Sequence, residues 1–175
     1  MFYRLMLVWM LCLGLAAQGS VVIFLRHAEK SSKRTNAELS RVGQQRARRL
    51  VERLSPFRPI ALFASDLRRT QQTLEPLAQH LKVPLQLYDR GKEFALGESL
   101  LVRYPGQTVV VCGHSDTLME LVKALGYMEP FPEVDGYDRF WILRVATSGG
   151  RVSLEEQRQG PVPPNPVSTR PVLPP

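Results

Sequence analysis

The sequence predicts an α/β domain in which a mostly parallel sheet is flanked by helices. Three observations predict it. Val21-Val22-Ile23-Phe24-Leu25 is an apolar run too short for a helix and without polar alternation, as a strand buried on both faces requires. Ile60 to Ala64 and Thr108 to Cys112 repeat that pattern further along. Between such runs lie segments whose apolar residues recur at helical spacing.

The 175 residues, 44% hydrophobic and 22% charged, are those of one globular domain able to bury a core. A formal charge of +7 and a pI near 9.8 would suit an anionic substrate, an anionic membrane surface or nucleic acid. Nucleic acid is disfavoured as a partner. Arg41, Arg46, Arg48, Arg49 and Arg53 fall in one predicted helix without the interleaved aromatics of a stacking platform, so they read as a solvated basic face.

Residues 1–19 stand apart from the fold. Arg4 precedes an apolar run from Leu5 to Ala17, and Ala17-Gln18-Gly19 offers small residues where a signal peptidase reads them. The run is shorter than the roughly 20 residues of a spanning helix. Export to the periplasm or exterior is the expectation, with an uncleaved amino-terminal anchor near the membrane as the alternative. Cys12 lies in this segment, preceded by a poor lipoprotein box, which leaves Cys112 alone in the mature domain and no internal disulfide.

From Val21 onward the elements follow in order. The first strand stops at Arg26-His27, and a polar loop from Ser31 to Glu38 would wall the space beyond it. Ser40 caps a predicted helix through Leu54, with Val42, Ala47, Leu50, Val51 and Leu54 inward, the arginines outward, and Gly43 permitting close approach to the sheet. Pro56 to Pro59 ends it, and Ile60 to Ala64 is the second strand. Ser65-Asp66 signals a cap for the next helix, whose stripe is Leu67, Thr70, Leu74, Leu77, Ala78 and Leu81. Pro76 should kink or split it.

Leu85 to Leu87 reads as a short third strand, and Tyr88 to Gly106 shows no clear period. Thr108 to Cys112 is a strong strand, followed by a helix with Leu118, Leu121, Val122 and Leu125 inward and Gly126 as its stop. Asp138 to Val145 and Arg151 to Leu154, separated by Gly149-Gly150, read as a terminal hairpin. The domain then spans 20–159, and 160–175 is a Pro-rich tail of disordered composition.

Ligands of open α/β sheets bind beyond the carboxyl ends of the strands, which is where Arg26, His27 and the Gly113-His114-Ser115-Asp116 turn emerge. Arg suits bidentate recognition of a phosphoryl group, and imidazole is a competent nucleophile toward phosphorus. Other chemistries fit less well. A serine nucleophile elbow at Ser115 would want Gly where Thr117 stands and a histidine further on, but the three histidines are His27, His80 and His114. A cysteine phosphatase at Cys112 would need an arginine where Leu118 stands, so Cys112 reads as core. Metal hydrolysis through His27, His114, Glu29, Asp66 and Asp116 lacks paired ligand spacing, and no metal or other cofactor is expected. His80 reads as a surface residue. Arg68 and Arg69 diverge by about 100° around their helix, so only one of them can enter a shared pocket.

What remains is attack on phosphorus by His27, with a protonated His114, Arg26 and one helix arginine holding the equatorial oxygens. At this point the sequence resembles the histidine phosphatase superfamily, the phosphoglycerate-mutase-like group, and most closely its small exported members. The resemblance covers Val21 to Val145. Leu25-Arg26-His27-Ala28-Glu29-Lys30 is similar to the family's Arg-His-Gly motif with Ala for Gly. Leu39-Ser40 through Gly43 to Arg46-Ala47 and Leu50 is similar to its first helix, Ser65-Asp66-Leu67-Arg68-Arg69-Thr70-Gln71-Gln72-Thr73 to its S-x-L-x-R block, and Val111 to Thr117 to its second-histidine turn.

The resemblance implies a phosphoglycerate-mutase-like three-layer sandwich, His27 as the phosphorylated nucleophile, Arg26 and Arg69 as phosphate ligands, and His114 as the second pocket histidine. The general acid is where this sequence departs from the larger members, which supply a Glu from a longer insertion; Glu93, Asp116 and Glu29 are the candidates here. Asp116 also suits a helix cap and Glu29 an orienting role. The expected activity is hydrolysis of a phosphomonoester outside the cytoplasm: a sugar phosphate, a phosphorylated envelope glycolipid or a phosphoprotein. A phosphate-binding module without turnover, and more remotely a metal-dependent hydrolase, are the alternatives.

Overall fold

A computed structural model describes residues 19–146 and 152–160. The expected signal or anchor segment, the Gly149-Gly150 turn and the Pro-rich tail after Gly160 lie outside the described residues. The apolar runs become a six-stranded sheet. In chain order the elements are β1 (Ser20–Arg26), α1 (Arg41–Leu54), a 3-10 turn (Ser55–Phe57), β2 (Ala61–Ser65), α2 (Arg68–Leu81), β3 (Leu85–Tyr88), α3 (Glu93–Arg103), β4 (Thr108–Gly113), α4 (Leu118–Ala124), β5 (Arg139–Val145) and β6 (Val152–Arg158).

The strands lie in the order β3-β2-β4-β1-β5-β6. The first four are mutually parallel, while β5 runs antiparallel to β1 and β6 antiparallel to β5. From β1 through β2 to β3 the chain steps one way across the sheet, and from β3 through β4 to β5 it steps back. Right-handed crossovers therefore put α1 and α2 on one face and α3 and α4 on the other. Two cores result. Ile23, Leu25, Leu62, Val110 and Cys112 meet Leu50, Leu54, Leu74 and Leu77, whereas Val22, Phe24, Phe63, Val109 and Val111 meet Leu96, Leu100, Leu118 and Leu121. This alternation makes β1 and β4 apolar throughout, the signature of strands covered on both faces.

The structure corrects several local expectations. A whole helix, α3, occupies the stretch that showed no period. Its apolar residues are mixed, since Phe94 and Val102 are exposed while Leu96 and Leu100 are buried. Gly97 explains part of the obscurity: it weakens the helix locally but lets α3 touch α4, where a Cβ would lie 2.7 Å from that of Ala124. Pro76 sits inside a continuous α2. That helix is not capped by Asp66; its N-cap is Leu67, without a side-chain bond, and Asn36 Oδ1 accepts the Arg68 N–H at 2.8 Å instead.

Ser40 does cap α1, its Oγ accepting from Gly43 N–H at 3.1 Å. The face of that helix is shifted, however. Val42 is exposed and Arg46 is buried, and the close approach at Gly43 is to the loop after β1, where a Cβ would stand 2.2 Å from the Glu29 carbonyl oxygen. The terminal hairpin pairs as expected, with β6 running further than anticipated, to Arg158.

Candidate active site

The site is built by the ends of two neighbouring parallel strands. Arg26 of β1 pairs with Gly113 of β4, and the ladder continues one step further, His27 N–H donating to the Gly113 carbonyl at 3.0 Å. The residues after these two, His27 and His114, thus emerge side by side, their ring centroids 5.3 Å apart at 62°. Both are almost fully buried.

The tautomer of His27 follows from its partner. A carbonyl oxygen only accepts, so the Nδ1 that lies 2.7 Å from the Ala28 carbonyl carries the proton and Nε2 keeps its lone pair. Burial, opposed in part by that Ala28 bond, together with the nearby charges of Arg69, Arg26 and Lys30, lowers its pKa to about 4. His27 is a neutral imidazole at neutral pH.

His114 is oriented from behind. Its Nδ1 receives a hydrogen bond from Arg69 Nη2 at 3.3 Å, so its proton is on Nε2 and goes to Ser65 Oγ at 2.9 Å. Ser65 in turn donates to Thr70 Oγ1 at 2.9 Å, and the Thr70 hydroxyl donates to the Leu67 carbonyl at 2.6 Å. Burial first, then Arg69, His27 and Arg90, lower its pKa to about 3. These groups favour the neutral ring, so the protonation expected of His114 during transfer would depend on the negative charge of the phosphoryl group itself. Neutral His114 is held by a donor on one side and an acceptor on the other.

Arg69 enters the site and Arg68 does not, as their angular separation requires. Arg69 is buried and also donates to the Thr35 carbonyl in the loop after β1, while Arg68 is exposed and pairs with Glu38. Arg26 is held by a segment remote in sequence: its Nη1 donates to the Gly136 carbonyl at 3.3 Å and its guanidinium carbon stands 4.4 Å from the centre of the Tyr137 ring. Tyr137 also faces His27, ring centroids 5.8 Å apart. Nε of Arg26 and of Arg69 is buried without a protein partner, which is costly unless an anion accepts from it. The donor set suits a phosphoryl group.

The loop that carries His27 is fixed on two sides. Glu29 is clasped by Arg46 of α1, with Nε at 3.0 and 2.9 Å from its two oxygens and Nη2 at 2.5 Å. On the other side Ala28 N–H donates to Thr73 Oγ1 at 3.0 Å and Leu39 N–H to Gln72 Oε1 at 2.8 Å, both on α2. Of the other carboxylates named from the sequence, Asp116 is exposed and paired with Arg90 rather than capping α4, whose N-cap is Thr117. Asp66 accepts the Arg90 N–H at 3.3 Å. Glu93 is buried at the start of α3, where its Oε2 accepts the Gly91 N–H at 2.8 Å. Among the described residues no three His, Cys, Asp or Glu side chains are grouped so as to hold a metal ion. Cys112 is buried, which pushes its thiol pKa up, and His80 is exposed.

The chain has counterparts in fold. The family profile described as histidine phosphatase superfamily (branch 1) matches residues 22–99. No curated protein sequence matches the chain. In fold the chain is similar to a mycobacterial glucosyl-3-phosphoglycerate phosphatase, with a TM-score of 0.62 at 17% identity over 77% of this chain and 96% of that one. It is similar as well to a phosphoserine phosphatase of Entamoeba histolytica, with a TM-score of 0.61 at 16% identity over 77% and 94%. The protein histidine phosphatase SixA gives 0.59 at 17% identity over 79% and 97%. These likenesses establish a phosphoglycerate-mutase-like three-layer fold for the chain.

Tyr137, Gly136 and Arg90 were not singled out by sequence reasoning. Nothing local marks them: Tyr137 reaches Arg26 only because β5 pairs with β1 after an excursion of more than a hundred residues. Ser65, Thr70 and Thr73 did carry a signal, as the small hydroxyl residues of the block that contains Arg69.

Proposed function

We propose that this protein is a phosphomonoester hydrolase that works through a phosphohistidine on His27. The observation that carries the reading is the free Nε2 lone pair of a neutral, buried His27, fixed by the Ala28 carbonyl and facing His114 beside Arg69 and Arg26. The match of residues 22–99 to the histidine phosphatase profile supports phosphatase chemistry in general, and the phosphatases that share the fold are consistent with it.

In this reading Arg26 and Arg69 bind the phosphoryl oxygens, and His114 donates to them from Nδ1 when that nitrogen takes up a proton, which the negative charge of the phosphoryl group favours. His27 Nε2 attacks phosphorus in line with the departing oxygen. Water then attacks the phosphohistidine, the N–P bond breaks, its electron pair returns to Nε2 and inorganic phosphate leaves. The same cations stabilise both transition states, because charge builds on the same equatorial oxygens. Glu29 acts as the tie between the His27 loop and α1. No metal is needed for any of these steps. The substrate is assigned to the exterior of the cytoplasm on the apolar run Leu5 to Ala17.

Hydrolysis of p-nitrophenyl phosphate with and without a chelator, beside His27→Ala, tests the proposal. Chelator-resistant turnover that disappears in the variant is expected. Loss on chelation would assign the site to metal hydrolysis, and retained phosphate binding without turnover would assign it to a binding module.

A further inference from the structure

An arginine that takes an anionic ligand has to be oriented, yet a carboxylate that oriented it would also neutralise it. The arginines around the site show both situations. Arg46 is spent on Glu29 and Arg68 on Glu38. Arg26 is held by uncharged groups instead. It stands partly exposed at the end of β1, and its partners lie 110 and 111 residues further on: the Gly136 carbonyl accepts from Nη1 at 3.3 Å and the Tyr137 hydroxyl from Nη2 at 3.5 Å. The Tyr137 ring lies against the guanidinium, 4.4 Å from its centre to the guanidinium carbon. Nε, buried and without a protein partner, is left for an acceptor that the protein does not supply.

The fold brings the ring there by strand register. Leu25, next to Arg26, pairs with Phe140, so the chain enters β5 over the end of β1 and passes Tyr137 across it. The turn is braced on both sides of that residue. Arg139 Nη2 meets Asp135 Oδ1 at 2.9 Å, and the Asp138 carbonyl accepts the Gln159 N–H at 2.7 Å. The same ring faces His27, with centroids 5.8 Å apart at 45°. Tyr137 therefore borders the nucleophile and the cation together.

We infer that Tyr137 is a positioning residue: its ring fixes the Arg26 guanidinium for the phosphoryl group and leaves the positive charge of that guanidinium whole. This rests on the reading of Arg26 as a phosphoryl ligand above. A free arginine loses rotamer freedom when it takes up an anion, and one already stacked on an aromatic face loses less. The attraction between the ring face and the cation sets the size of the effect. Without the ring, phosphate binding weakens through Arg26 while Arg69 keeps its own ties to Thr35 and His114.

The test is a double-mutant cycle on the full-length protein, with inorganic phosphate affinity measured by calorimetric titration and kcat/KM measured on p-nitrophenyl phosphate. Tyr137→Leu should lower both about tenfold. Tyr137→Phe, which keeps the ring and gives up only the 3.5 Å bond, should recover most of that loss. Arg69 remains to bind the anion when Arg26 is replaced, so the cycle can be closed with Arg26→Ala. In that background Tyr137→Leu should lower phosphate affinity less than about twofold, because the ring has no cation to hold. Equal losses with and without Arg26 would overturn the inference, since the ring would then act on the fold or on His27. So would unchanged phosphate affinity in Tyr137→Leu, or a loss in Tyr137→Phe as large as in Tyr137→Leu, which would assign the effect to the hydroxyl. Tyr137→Met takes the place of Tyr137→Leu if that variant does not fold. Phosphate binding requires no turnover, so the cycle reads the coupling of Tyr137 to Arg26 whether or not His27 becomes phosphorylated. A wild type that binds no phosphate would overturn both readings.

Discussion

At the level of single residues, the site is a set of hydrogen-bond roles fixed by partners that admit one direction. The Ala28 carbonyl, which only accepts, decides which nitrogen of His27 is free, and the Arg69 guanidinium, which only donates, decides the same for His114. Ser65→Ala removes the acceptor for a buried N–H, at a cost of about 1–3 kcal/mol, and leaves the His114 ring free to turn away from Arg69. We expect kcat/KM to fall about tenfold to a hundredfold, with Ser65→Thr recovering part of it; wild-type rates in Ser65→Ala would show that the hydroxyl relay orients nothing. Arg26 and His27 were legible in the sequence because a buried apolar strand ending in two polar residues is unusual by itself. The choice of Arg69 over Arg68 was legible only through the family resemblance, because helical spacing separates the two without saying which points inward. Tyr137 had no sequence signal, since its role exists only through the pairing of β5 with β1.

At the level of elements, the His27 loop is held between α1 and α2, and the tightest point is Gly43. Any side chain there would press on the Glu29 carbonyl oxygen, which lies 2.2 Å from an ideal Cβ position. Gly43→Ala gains helix propensity and yet should destabilise the domain, by about 1–3 kcal/mol, because backbone rather than a flexible side chain must move. Thermal unfolding measures this, and the same variant should lose activity on aryl phosphates as the loop shifts. A rise in Tm would place the loop elsewhere. The helices α1, α2 and α4 and the apolar strands were legible because each keeps one period. Arg46 was misread as outward because an arginine on the inward face is exceptional; its burial is offset by the bidentate pair with Glu29. The helix α3 escaped notice because Gly97 trades local propensity for contact with α4.

For the whole molecule, the sheet order brings the ends of β1, β2 and β4 to one edge, and the two histidines are buried there as neutral rings. That burial couples the site to stability. His27 and His114 titrate near 4 and 3 in the folded protein against an ordinary value of 6.5. As pH falls below 6.5, the unfolded chain takes up protons that the folded one does not, so stability declines from there toward pH 4 and is indifferent to these two groups above it. With both contributing, the slope between pH 6 and 5 should approach about 2 kcal/mol per unit. Denaturant unfolding followed by the fluorescence of buried Trp141 checks this, and a flat profile over that interval would mean that the rings are not neutral in the fold. Saturating inorganic phosphate should raise Tm in the wild type and have little effect in Arg69→Ala.

The most direct test of the central claim is a rapid acid-free quench of the protein with an aryl phosphate, followed by peptide mass spectrometry. A phosphoryl group on His27, stable to base, labile to acid and absent in His27→Ala, is the predicted result. Turnover with no phosphorylated His27 at any time point, or with the phosphoryl group on another residue, would contradict it.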